Sequence, residues 1–113
     1  MYYWCTIPKV VDAIQIKFSN RQTLRETIRM CGSEMSLEDE EKYIDKSFKK
    51  DEDGNLFFLL KNCYNNNLLA VYDNMYVSKY ENIFNREITI EVVSEDTFNM
   101  YTKKLSDYIK ELS

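Results

Sequence analysis

Apolar residues in this chain recur at two spacings, one of two residues and one of three to four, and the changes between them mark out its elements. Residues 9–18 are β-branched and mixed in polarity, with Val10, Val11, Ile14, Ile16 and Phe18 set among Asp12 and Gln15, which predicts a strand. Pro8 stands just ahead of it, where a missing amide costs no ladder bond. The spacing then lengthens. Leu24, Ile28 and Cys31 fall on one helical face over 21–31, with Ser19-Asn20 offering an N-cap and Gly32 a C′ residue. Ser36 opens a second helix, with Asp39 as an approximate capping-box partner and Leu37, Glu40, Tyr43, Ile44 and Phe48 along its packing edge. Its acidic residues come first and Lys46, Lys49 and Lys50 last, the order the helix dipole favours.

The shorter spacing returns after the turn Asp51-Glu52-Asp53-Gly54-Asn55. Strands are predicted at 56–63 and 68–72, joined by Tyr64-Asn65-Asn66-Asn67, and again at 75–80 and 87–93. In the last of these Ile88, Ile90 and Val92 alternate with Glu87, Thr89 and Glu91, as in a sheet with one face in water. From Ser94 onward, Phe98, Tyr101, Leu105, Tyr108, Ile109 and Leu112 read as a C-terminal helix. The order implies one α+β domain over 1–113, with an antiparallel or mixed sheet of four to five strands and two to three helices mainly on one face. Tyr2, Tyr3 and Trp4 form an aromatic cluster expected to cover a sheet edge or pack into a partner subunit.

Composition narrows the chemistry. The 113 residues are 44% hydrophobic, enough to build a core despite 30% charged residues. Histidine is absent and glycine occurs twice, so the usual general base, the commonest zinc ligand and a phosphate-cradling loop are missing. A net charge of −4 opposes direct binding to nucleic acid or to an anionic membrane. Cys5, Cys31 and Cys63 are widely spaced, which suits neither a disulfide framework nor a zinc site and fits a reducing compartment. With no apolar run long enough to span a bilayer and no signal-peptide pattern, the expected location is the cytoplasm. No cofactor, metal ligand or catalytic residue is expected, and the chain reads as a non-enzyme.

Three groups of residues are candidates for binding. Glu38, Asp39, Glu40 and Glu41 form an acidic run that could dock on a basic partner surface, although such runs are commonly solvated faces. Tyr64, Asn66, Tyr76 and Tyr80 combine rigid aromatic area with adaptable hydrogen bonding, while their residue types equally suit strands and turns. Arg21, Arg25 and Arg29 recur every four residues as a basic stripe on the first helix, the alternative place for an anionic ligand. Asp51-x-Asp53-x-Asn55 starts like a calcium loop, but Leu56 stands where such a loop needs glycine and Asn62 where it needs glutamate.

The segment Pro8-Lys9-Val10-Val11-Asp12-Ala13-Ile14-Gln15-Ile16 resembles the opening of a group of small, uncharacterised phage and prophage proteins, which begin with a Pro-Val-Val-Val-Glu-Ala-Ile-Gln-like strand. A loop and helix follow in those proteins, as at 19–32 here. They later carry a Gly-Asp-Tyr-Ile-Val turn, where this chain has Asn74-Met75-Tyr76-Val77 without the Gly-Asp. The resemblance implies a phage accessory protein acting in the bacterial host cytoplasm, and it brings no catalytic residues with it. Taken with the composition, the expected function is inhibition of a bacterial defence system, anti-CRISPR-like or other, by contact with a host protein. The alternatives are a homo-oligomeric binder of a nucleotide signal and a virion assembly factor.

Overall fold

The computed structural model describes residues 1–5, 9–104, 107 and 110, with the side chains of Cys5, Lys9, Val10 and Lys103 outside that description. Among the described residues, two antiparallel sheets and three helices of seven or more residues give a mixed α+β fold. The larger sheet takes β1 (Tyr2–Cys5), β2 (Lys9–Gln15), β6 (Tyr76–Glu81), β7 (Ile88–Val93) and β8 (Thr102–Lys104), in the order β7-β6-β2-β1-β8. The smaller contains β3 (Phe48–Lys50), β4 (Leu56–Asn62) and β5 (Asn67–Tyr72), in that order. Between β2 and β3 come α1 (Arg21–Met30) and α2 (Leu37–Ser47), and α3 (Glu95–Tyr101) precedes β8.

Local chemistry sets the ends of the helices. Asn20 caps α1 by accepting from the Gln22 amide at 3.1 Å. At the other end the Gly32 amide donates to the Arg29 carbonyl and the Ser33 amide to the Ile28 carbonyl, a Schellman closure. Gly32 has φ +94°, and a Cβ there would lie 3.1 Å from the Tyr64 ring, so both conformation and space call for glycine. Ser36 caps α2 through the Asp39 amide and Ser94 caps α3 through the Thr97 amide.

Leu24 and Ile28 of α1 and its C-cap Cys31, with Ile44 of α2, meet Phe58, Leu60 and Val71 of the small sheet, Val77 and Ile90 of the large one, and Ile16 just past the end of β2. Each large aliphatic side chain buried in this way contributes about 1.5–3 kcal/mol. A second packed layer lies on the opposite face of the large sheet. There Tyr76 stacks on Phe98 at 3.8 Å, and Tyr3 meets Phe98 edge-on at 4.7 Å, beside buried Val11 and Ala13.

Several expectations change in the structure. Phe48, Lys49 and Lys50 leave the second helix and pair with Phe58, Phe57 and Leu56 as β3, because Phe48 meets Phe18 and Phe58 edge-on from there. The strand expected at 9–18 closes at Gln15, and Asn20 accepts the chain into α1 shortly after. The aromatic N-terminal segment is itself a strand between β2 and β8. α3 ends at Tyr101 and residues 102–104 pair with β1, so the expected C-terminal helix is interrupted there; Asp107 and Lys110 are again helical, while Leu105, Tyr108, Ile109 and Leu112 lie outside the described residues, as does Pro8.

Candidate functional site

The structure brings two of the three candidate groups together, against each other. Arg21 binds Glu41 at 2.7 Å and Asp45 at 2.9 Å, and Arg25 binds the second oxygen of Glu41. Arg29 grips Glu40 with two bonds, 2.9 Å from Nε and 2.7 Å from Nη2. The order of these pairs along the two helices makes α1 and α2 antiparallel. Spacing of three and four residues lines up Glu40, Glu41 and Ile44 on the inward side of α2, where the arginine stripe meets them. Glu40 is only 1% exposed, and the Arg29 fork is the ion pair that meets its carboxylate there.

Electrostatics follow that geometry. The hydrogen bond from Arg21, helped by Arg25, holds the Glu41 carboxyl below its ordinary range, with partial burial opposing. Bonds to Asp45 and Glu41 raise the Arg21 pKa, and the bond to Glu40 raises that of Arg29. Half of the acidic run therefore faces inward. Glu38 and Asp39 remain on the solvent side, with Glu38 3.4 Å from Lys42.

The tyrosine group is dispersed. Tyr64 closes the turn between β4 and β5 over the end of α1: its hydroxyl reaches the Met30 carbonyl at 3.4 Å and accepts from Lys79 Nζ at 3.0 Å. The Cys63 amide donates to the Cys31 carbonyl beside it. Asn66 sits exposed at the tip of that turn with φ +63°. Tyr76 lies on the far side of the large sheet in the Tyr3–Phe98 stack, where burial raises its pKa, and Tyr80 follows it four residues along the same strand, half-buried. The calcium-like loop is a hairpin turn between β3 and β4. Asp51 Oδ1 accepts the Asp53 and Asn55 amides and Oδ2 accepts the Tyr72 hydroxyl, and these donors hold its pKa low, the Asn55 amide first. Cys31 is buried, which pushes its thiol up to about 12.

A surface that the sequence reading missed lies on the outer face of the small sheet. Cross-strand register puts Phe57 with Lys49 and Tyr72, Leu59 with Ala70, and Lys61 with Leu68, all on the side away from Phe58, Leu60 and Val71. Leu68 is 60% exposed and Ala70 is also open to solvent, between exposed Lys49 and Lys61. The alternation in 56–60 was hidden because Leu56, Phe57, Phe58, Leu59 and Leu60 are all apolar. Beyond β3 the free edge of β4 is capped: the Tyr43 hydroxyl donates to the Leu59 carbonyl at 3.1 Å and accepts the Lys61 amide at 2.9 Å. That cap supplies the bonds another strand would have supplied, leaving the face of the sheet open and part of its edge closed. No family model, curated protein or solved structure matches this chain.

Proposed function

We propose that the protein acts by binding, as a phage-type inhibitor that docks on a protein of a bacterial defence system in the host cytoplasm. The observation that carries the binding reading is the outer face of the β3–β4–β5 sheet. An apolar strip lies there between two lysines, with Leu68 and Ala70 exposed and Phe57 and Leu59 half-buried beside them. A flat apolar centre with a charged rim is the anatomy of a protein interface, and Lys49 and Lys61 suit a partner with carboxylates at its own rim. The net charge of −4 opposes an anionic bilayer as the occupant. The defence-system target comes from the resemblance of 8–16 to phage proteins. The arginine stripe gives the nucleotide-binding alternative little support, since Arg21, Arg25 and Arg29 all hold carboxylates of α2.

Expression of the chain in a bacterium carrying a defence system tests this reading. The chain is expected to restore plaque formation and to retain one host defence protein in stoichiometric amount. Leu68→Asp abolishes both effects, whereas Glu38→Gln with Asp39→Asn leaves them intact. If the Leu68→Asp chain still retained the partner, the sheet face would be the wrong surface. Failure to restore infection against any of a panel of defence systems would overturn the inhibitor reading.

A further inference from the structure

The loop between β6 and β7 presents two large apolar side chains that nothing in the described chain covers: Ile83 is 74% exposed and Phe84 92%. The loop is internally bonded. The Asn82 amide donates to the Glu87 carbonyl and the Arg86 amide to the Asn82 carbonyl, each at 2.8 Å. The Asn82 and Asn85 side chains accept the Phe84 and Glu87 amides, and Arg86 is held at φ +62°. A tip held in this way loses little conformational freedom on being seated. Two carboxylates and one cation flank it: Glu87 is exposed, while Glu81 is ion-paired with exposed Arg86 at 3.6 Å, which leaves the tip with one excess negative charge.

A complementary surface exists elsewhere on the same chain. Alongside α2 is a cleft of about 400 Å³ lined by Met35, Asp39, Lys42, Tyr43, Lys46 and Ser47. Met35 and Tyr43 give it apolar walls. Lys42 and Lys46 outnumber its single lining carboxylate, although Lys42 also lies near Glu38.

We propose that the β6–β7 tip of one copy seats in the α2 cleft of a second copy, with Phe84 against Met35 and Tyr43 and the flanking glutamates towards Lys42 and Lys46. The occupant is a second copy because the same chain carries both the acid-flanked plug and the lysine-rimmed hole. An anionic bilayer is disfavoured by the two glutamates at the tip. Tip and cleft are different patches, so the contact is head-to-tail and builds chains or rings.

Sedimentation velocity of the full chain over a range of concentrations tests the proposal. The protein is expected to assemble as concentration rises. Phe84→Asp is expected to raise the midpoint of assembly roughly thirty-fold or more, the loss typical of a central aromatic anchor. Lys42→Glu with Lys46→Glu blocks the cleft instead. Mixing the tip-blocked and cleft-blocked proteins gives a one-to-one pair and nothing larger, which also shows that each variant is folded over its intact half. A wild-type chain that stayed monomeric, assembly that ignored either variant, or a mixture that formed no pair would overturn the proposal. None of these residues lies on the outer sheet face, so the two readings fail independently.

Discussion

The α1–α2 seam and the outer face of the small sheet are opposites in composition and in fate. The seam holds most of the charge that looked available for recognition, and each of its arginines already has a carboxylate partner within the chain. The sheet face is mostly apolar, which in a sequence reads as core, yet Leu68 and Ala70 stand in water. A charge run paired across two helices is consumed by the fold. An apolar strip left uncovered stays at the surface, where the proposed partner would meet it. The same contrast separates Glu40, 1% exposed, from Phe84, 92% exposed.

That contrast can be broken or sharpened by mutation. The largest stability loss is expected where apolar packing supports the seam: Leu24→Ala, at a site with no exposure, lowers stability by about 3 kcal/mol in urea unfolding. Arg29→Ala comes next, because it leaves the buried Glu40 carboxylate without its fork. Arg25→Ala costs less, since Glu41 keeps Arg21. Equal urea midpoints for the two arginine variants would remove the distinction between buried and open pairs.

Acid should show the seam more gently. Glu41 and Asp51 have folded-state pKa values below their unfolded values of about 4.3 and 3.9. Their contribution is therefore present above the unfolded values and lost as pH falls through the folded ones. The urea midpoint is expected to hold from neutral pH to about pH 5 and to fall below about pH 4, with a shallower fall in Glu41→Gln. An unchanged acid limb in that variant would show that the Arg21 and Arg25 pairing carries no stability. Smallest of all is Leu68→Ala, expected within about 0.5 kcal/mol of wild type because its side chain has few internal contacts to lose. A loss several times larger would mean that this face is packed in the free protein.

Much of the fold was legible because local signals agreed with one another. Asn20 and Gly32 bracket α1 as expected, Ser36 caps α2, and alternation from Ile88 to Val92 gives β7 its inward face. The misread segments were decided by distant partners. Phe48–Lys50 carries helix-compatible lysines, but β4 captures it as an edge strand. Thr102–Lys104 continues a helical pattern in sequence, but β1 offers a free edge. The site was less legible than the fold. Arg21, Arg25 and Arg29 were recognisable as a stripe and Glu38 to Glu41 as an acidic run, but the antiparallel approach that joins them depends on the 31–36 connection and the packing beneath it. The outer sheet face left no signal, because an unbroken apolar run cannot say which of its residues face out.

The most direct test compares the two halves of the acidic run in urea. Glu40→Gln with Glu41→Gln removes the carboxylates that face α1, and Glu38→Gln with Asp39→Asn removes the two that face solvent. The expected result is a clear fall in midpoint for the first pair and almost none for the second. If both pairs shifted the midpoint alike, or only the second did, the division of this run into an internal seam and a free surface would be contradicted.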